Sequence, residues 1–308
     1  MNLEQRFREF VREAEQRGLA IEGIAVADEK KVLLEHRFTP DLPRNIYSHT
    51  KSYTATAVGL AVEEGILRLE DRLADFFPEK LPKAPPPALL QITLRCLLTM
   101  SSGFGKSYLM SEERRGGEGA PDYMAYMLSR PVTEQPGQRF CYSTADSILA
   151  GYMVEKAAGV RLGQYLYERL FSRLGQGYPV WEHDPQGHPN GGGGMFLRLT
   201  EMMKLGQLYL AGGRWQGEQV VPAGWVREAT RKQIDTGNTG NPGDVWSCGY
   251  GYQFWLSPYP GSYRADGAFG QVSTVLPEKG LVVAVQCPET GDFEQVKRLL
   301  HEDFLALL

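Results

Sequence analysis

The chain has 308 residues, of which 42% are hydrophobic and 23% charged, a composition typical of a folded domain of enzyme size. Its formal net charge of −4 argues against a general nucleic-acid-binding protein, which would present a basic surface. No apolar run reaches the roughly 18 residues that a membrane-spanning helix needs. The first residues lack the apolar core of a secretory signal, so we expect a cytoplasmic protein, with an exported form whose signal has been removed as the alternative.

The four cysteines are widely separated and form no C-x-x-C pair, so we expect neither a metal site nor a cofactor. In a reducing compartment, such thiols are most simply buried small hydrophobic side chains. They are Cys96, Cys141, Cys248 and Cys287.

The N-terminal third alternates between helical and extended patterns. Apolar residues recur at helical spacing over residues 2–18, and Gly18 predicts the end of that helix. Residues 20–27 and 31–38 predict two strands joined by a short polar turn. Residues 48–64 then predict a helix that ends at Gly65.

The middle of the chain is mostly helical. Five prolines over residues 75–90 predict a surface loop, and residues 104–140 predict an irregular segment with one short helix near 123–128. Three longer helices are predicted at 143–158, 162–174 and 200–211.

The last third of the chain changes to extended patterns. Strands are predicted at 252–257, 262–265, 271–276 and 281–286, followed by a terminal helix that begins at Asp292. We therefore expect an α+β fold, in which an antiparallel sheet is flanked by the N- and C-terminal helices and a mostly helical domain is inserted. Residues 1–47 and about 230–308 would form the sheet domain, residues about 48–229 the helical domain, with the active site between them.

A candidate nucleophile stands at the start of the second predicted helix. Ser48 and Lys51 are three residues apart, which places them on one helix face. A serine needs a base beside it, and a lysine can serve if burial or a positive neighbour lowers its pKa. Taken alone, this S-x-x-K pattern is more often an N-cap serine followed by a solvated lysine.

Two further segments strengthen the interpretation. Tyr142 and Thr144 stand at the start of the helix predicted at 143–158, and a tyrosine near a lysine ammonium would have a lowered pKa and could pass protons. Gly267 and Gly270 follow a predicted strand, where a backbone N–H could pair with that of Ser48 as an oxyanion hole. A tight turn or a bulge is the simpler interpretation of that glycine segment when it is taken alone.

Taken together and in chain order, these motifs resemble those of the penicillin-binding-protein and serine β-lactamase superfamily, in particular its class C-like β-lactamase-related hydrolases. The resemblance covers about residues 20–305 and is carried by residues 48–53, 62–69, 92–103, 142–144 and 267–271. It implies that Ser48 is the acylated nucleophile, and that Lys51 and Tyr142 are proton-transfer groups whose division of labour stays open. Ala268 would supply an oxyanion donor together with the Ser48 N–H. The other expected oxyanion or substrate-binding residues are Thr144, which stands where many relatives have Asn, Asp266 and Gly267.

One departure bears on the substrate. Relatives carry Lys-Thr-Gly or His-x-Gly where this chain has Ala265-Asp266-Gly267, so the cation that commonly anchors a substrate carboxylate is absent. We therefore expect a small-molecule or short peptide-like ester or amide substrate that is neutral or cationic. A β-lactamase or D-alanyl carboxypeptidase proper, or a ligand-binding sensor with little turnover, are the alternatives, and the oligomeric state is open.

Overall fold

The computed structural model describes residues 2–237 and 244–308. The α-helices are α1 (Leu3–Gln16), α2 (Thr50–Glu63), α3 (Leu73–Phe76), α4 (Leu94–Leu98), α5 (Ser111–Arg115), α6 (Tyr123–Leu128), α7 (Thr144–Ala158), α8 (Leu162–Leu166), α9 (Leu199–Leu210), α10 (Ala223–Thr230) and α11 (Phe293–Arg298). The strands are β1 (Gly23–Ala27), β2 (Val32–Arg37), β3 (Arg44–Asn45), β4 (Val180–Trp181), β5 (Met195–Leu197), β6 (Arg214–Trp215), β7 (Glu218–Gln219), β8 (Trp255–Leu256), β9 (Tyr263–Gly267), β10 (Gln271–Leu276) and β11 (Leu281–Gln286).

The main sheet has six strands in the order β2-β1-β11-β10-β9-β8, and every neighbouring pair is antiparallel. Strand β1, near the N-terminus, pairs directly with β11, near the C-terminus, so the two chain ends build one sheet. This arrangement confirms the predicted α+β fold with an antiparallel sheet.

Both faces of the sheet are covered, which is why β1 and most of β11 are continuous apolar runs rather than alternating ones. Helix α1 and the C-terminal helix lie on one face and share a core with the sheet through Phe10, Val285 and Phe304. Helix α9 packs on the other face. The sequence analysis assigned α9 to the helical domain, and the boundaries of that domain stay a prediction.

Helices α2 and α7 pack against each other, and almost all their residues are buried. Gln253 lies behind both: its carbonyl accepts a hydrogen bond from Ser52 of α2 at 2.7 Å, and its Oε1 accepts one from Ser147 of α7 at 2.6 Å. The Gln253 side-chain amide donates to the carbonyls of Leu97 and Leu98, both at 3.0 Å. Because these groups are buried, the network fixes α2 and α7 relative to each other.

Several elements were not predicted. The small sheet β3-β5-β4 is made of strands of two or three residues, too short to show a period of two, and α10 has only eight residues. The helix predicted at 162–174 is divided into α8 and a π-helical turn at Tyr167–Phe171. Among the described residues, no helix combines the length and apolar character that a membrane span requires.

Candidate active site

Ser48 lies in a tight turn that leads into α2. The turn is a short 3₁₀ helix, Tyr47–His49, and Tyr47 has a positive φ of 47°. A bulky residue in the left-handed region is strained unless its surroundings hold it there. The Tyr47 N–H donates to the Asn45 side chain at 2.8 Å, which is one such restraint. The turn leaves Ser48 partly exposed while its neighbours are buried.

The sheet holds this turn from behind. His49 is fully buried, and its Nε2 lies 3.0 Å from the Ser273 hydroxyl on β10. Burial lowers the pKa of His49 to about 3, so the imidazole is neutral and serves as a hydrogen-bonding tie to the sheet.

Gly267 at the end of β9 touches the same turn. A Cβ atom placed on Gly267 would lie 2.1 Å from the Ile46 carbonyl oxygen, two residues before Ser48. Only a residue without a side chain allows this approach. The contact brings the strand end, and with it Ala268, next to the Ser48 turn.

We expect Gly267→Ala to separate β9 from the Ser48 turn, because the added methyl cannot fit against Ile46. The substitution should lower the free energy of unfolding by about 1–3 kcal/mol. Activity should fall by a larger fraction than stability does, because the strand end and the Ser48 turn meet at the site. Denaturant unfolding and ester hydrolysis would measure the two effects. Gly177→Ala is the matched control, since a Cβ there meets nothing within 4 Å and unfolding should stay near wild type. Wild-type activity in folded Gly267→Ala would contradict the expectation.

Lys51 is 1% exposed, and its ammonium group is surrounded by oxygen atoms. Its Nζ lies 3.3 Å from Ser48 Oγ, 3.2 Å from Thr144 Oγ1 and 2.5 Å from the Gly192 carbonyl oxygen. The structure thus brings Ser48, Lys51 and Thr144 together, as the sequence spacing predicts for the first two.

The electrostatic setting of Lys51 favours the neutral amine. Burial holds its pKa well below the usual range, the charge of Arg114 lowers it further, and Asp146 acts weakly in the opposite direction. The three oxygen atoms around Nζ are neutral, so they compensate a buried ammonium less than a carboxylate would. A neutral Lys51 can accept the proton of Ser48.

Tyr142 differs from the prediction. Its pKa is raised, mainly by burial, although the nearby Ser48 side chain lowers it in part. The expected lowering by the lysine was wrong, because burial of the phenol outweighs the neighbouring groups. Lys51 Nζ lies over the face of the Tyr142 ring, 5.3 Å from its centroid. Tyr142 therefore keeps its phenolic proton at neutral pH. Its ring packs against Trp255, with centroids 5.5 Å apart, which fixes its orientation.

Residues 191–194 are four consecutive glycines that line the Lys51 side of the site. A Cβ at Gly192 would come within 2.5 Å of Thr144 Cγ2, so glycine is required for the Gly192 carbonyl to reach Lys51. The Trp181 indole donates to the carbonyls of Asn190 and Gly193 at 2.9 and 3.0 Å and orders the run. The Thr144 hydroxyl also contacts Met110 Sδ at 3.2 Å.

The structure does not bring Asp266 into this group. Its carboxylate accepts a hydrogen bond from Arg264 Nε at 2.7 Å, and Arg264 is fully buried. Strand alternation places both side chains on the face opposite Ala265, which packs in the core on the Tyr53 side. Asp266 therefore belongs to a buried ion pair and not to a substrate-contacting surface.

Gly192, Met110 and Arg114 are the nearby residues that sequence reasoning missed. The four-glycine run was the one signal available, since such a run indicates close backbone approach. Arg114 lies in a segment predicted to be irregular, where position relative to Lys51 depends on tertiary structure alone. Its side chain is 10% exposed.

A cavity of about 750 Å³ lies at the other end of α7 and does not include Ser48. Its ionic groups are paired with each other, as in the contacts of Lys80 with Asp122 and of His188 with Glu155. We assign the candidate site to Ser48 on the chemistry of its surroundings and not on cavity size.

The sequence model of one family, Beta-lactamase, matches residues 3–307. The chain belongs to the Beta-lactamase family. This membership confirms the resemblance stated above, and the class C-like assignment stays a prediction.

The three similar proteins named here are each at most 30% identical to this chain. Lovastatin esterase from Penicillium rubens is 30% identical over 161 residues, 44% of this chain and 40% of that protein. The 6-aminohexanoate-dimer hydrolase of Paenarthrobacter ureafaciens is 25% identical over 277 residues, 77% of this chain and 67% of that protein. A solved structure, the putative 6-aminohexanoate-dimer hydrolase from Bacillus anthracis, superposes with a TM-score of 0.79 at 18% identity, over 96% of this chain and 80% of that one. The match to the esterase thus covers only two fifths of that protein, and the likeness to the solved structure shows the fold alone.

Proposed function

We propose that this family member is a serine hydrolase that forms an acyl-enzyme on Ser48 and cleaves an ester or amide. The observation that carries the proposal is the buried Lys51 amine, 3.3 Å from Ser48 Oγ and surrounded by neutral oxygens. Its lowered pKa supplies the base that a serine nucleophile needs. The relatives named as an esterase and a dimer hydrolase support the ester and amide classes.

The raised pKa of Tyr142 favours one division of labour between the two proton-transfer groups. Lys51 takes the Ser48 proton as Oγ attacks the carbonyl carbon, and the Ser48 and Ala268 N–H groups stabilise the oxyanion. Tyr142 donates its phenolic proton to the leaving alcohol or amine and regains a proton from Lys51. Water then attacks the ester formed with Ser48 and gives its proton to Lys51. As the bond between the acyl carbon and Ser48 Oγ breaks and the carboxylic acid leaves, Tyr142 protonates Oγ and regains a proton from Lys51.

Ala265 supports a substrate without a recognised carboxylate, because a lysine or histidine in this segment would provide the anchoring cation. A substrate panel tests the class: p-nitrophenyl acetate, a D-amino-acid amide and a chromogenic cephalosporin. We expect kcat/KM to be highest for the uncharged ester. A burst of one equivalent of product with no further turnover would instead favour the sensor alternative.

The contribution of position 265 can be measured with Ala265→Lys. A charge-assisted hydrogen bond to a carboxylate is worth about 1.5–3 kcal/mol, so the cephalosporin-to-ester ratio of kcat/KM should rise by roughly 10- to 150-fold. Ala265→Met is the control for size without charge. The preference proposed here is overturned if wild-type enzyme already favours the cephalosporin, or if the lysine leaves the ratio unchanged in a folded protein.

A further inference from the structure

Arg114 carries a buried positive charge that is weakly compensated. Its Nη1 donates to the Leu109 carbonyl at 2.5 Å, and its Nη2 lies 3.7 Å from Glu182 Oε2. That second distance is longer than a hydrogen bond, and the Glu182 side chain is 42% exposed and therefore screened by water. A guanidinium that is nine-tenths buried usually pairs with a carboxylate at hydrogen-bonding distance.

The glycine run connects Arg114 to Lys51. Lys51 Nζ lies 2.5 Å from the Gly192 carbonyl oxygen, and a Cβ on Gly193 would lie 4.0 Å from Arg114 Nη2. Adding the covalent distances from that oxygen to the Gly193 Cβ position shows that the two nitrogens are at most about 12 Å apart. Two like charges at this separation in a protein shift a titration by about one pH unit, a tenfold change in the fraction of neutral amine.

Other charges near Lys51 act less strongly or in the opposite direction. On α7, Asp146 accepts a hydrogen bond from Ser102 at 2.8 Å, and burial raises its pKa to about 8, so it is mostly protonated at neutral pH. Tyr142 is protonated, and on the Ser48 turn His49 is neutral. Other charged groups around the turn are Glu182, Arg115 and Glu289, which act on Arg114 or on Tyr47, and Asp266, which acts on Tyr142.

We propose that Arg114 is a positioning residue whose buried charge keeps Lys51 in its neutral, proton-accepting form. This inference rests on the proposed function, in which Lys51 is the base for Ser48. Because Arg114 belongs to α5, which lies in the irregular segment next to the site, movement of that segment would change the fraction of enzyme that is ready to react.

The test is the pH dependence of Ser48 acylation, measured with a fluorophosphonate probe and with p-nitrophenyl acetate. Arg114→Gln removes the charge, so the acidic limb of the profile should move to higher pH by about one unit. Below that limb the variant should be roughly tenfold slower, and at alkaline pH it should reach the wild-type rate.

Three variants separate charge from packing. Arg114→Lys keeps the charge and loses the planar guanidinium, and it should retain the wild-type limb. Arg115→Gln removes an exposed charge on the same helix and should move the limb much less. Glu182→Gln removes the negative partner of Arg114, so it should move the limb in the opposite direction, to lower pH.

The outcomes distinguish this inference from the proposed function. If Arg114→Gln loses the same proportion of its rate at every pH, Arg114 has only a structural role. A shift of the acidic limb to higher pH in Glu182→Gln would overturn the charge argument. If Arg114→Gln does not fold, the direction given by Glu182→Gln decides. If Ser48→Ala keeps its activity, the proposed function fails; if Ser48→Ala is inactive but the limb does not move in the other variants, only this inference fails.

Discussion

Ser48→Ala should abolish both turnover and covalent labelling by a fluorophosphonate, because the proposed mechanism has no other nucleophile. The fold should survive, since Ser48 is partly exposed and its hydroxyl contacts only other groups of the site, Lys51 and Tyr142. In wild-type protein, mass spectrometry after brief incubation with an activated ester should find the acyl group on the peptide that contains Ser48. The residual rate of the variant should lie several orders of magnitude below wild type.

The control for this experiment is Ser129→Ala, which removes an exposed serine outside the site. It should label and turn over at wild-type rates. Undiminished hydrolysis by a folded Ser48→Ala protein, with the acyl group found on another residue, would refute the assignment of Ser48. Circular dichroism of both variants separates loss of chemistry from loss of fold.

Much of the fold could be predicted because the strands and helices carry strong local patterns. The predicted bounds of β10 and β11 match the structure, and α1, α2 and α9 fall within two residues of the predicted ranges. Sheet order could not be read from those patterns, since the pairing of β1 with β11 joins residues more than 250 positions apart. The resemblance to a known family supplied the arrangement that periodicity alone could not.

The site divides in a similar way. Ser48 and Lys51 are linked by helical spacing, so their contact at 3.3 Å follows from sequence. The Gly192 carbonyl approaches Lys51 only through tertiary packing, and the same holds for Arg114. The direction of the pKa shift of Tyr142 was mispredicted because burial, which no spacing reveals, outweighs the neighbouring groups.

The proton-transfer pair gives the second large effect. Lys51→Met and Tyr142→Phe should each slow acylation by roughly 10²–10⁴, the usual contribution of a positioned proton-transfer group. Both substitutions preserve most of the side-chain volume, and Tyr142→Phe keeps the ring that packs on Trp255. The burst phase with p-nitrophenyl acetate measures acylation separately from deacylation.

The controls for these variants lie outside the proposed proton path. Lys204→Met removes a lysine that donates to the Leu174 carbonyl at 2.8 Å, and Tyr250→Phe removes the hydroxyl of a ring perpendicular to Tyr142. Each should change acylation by less than about tenfold, which is well below the effect of losing a proton-transfer group.

The double variant and the pH profile decide how the two groups act. If Lys51 and Tyr142 share one proton path, the fold-loss of acylation rate in the double variant should be much smaller than the product of the fold-losses in Lys51→Met and Tyr142→Phe. Because Lys51 reacts as the neutral amine, wild-type acylation should fall as pH drops through its lowered pKa. The raised pKa of Tyr142 predicts no loss of rate on the alkaline side until well above neutrality. Multiplicative losses would mean that the two groups act independently, and an acidic limb that Tyr142→Phe removes would mean that Tyr142 acts as a phenolate base instead.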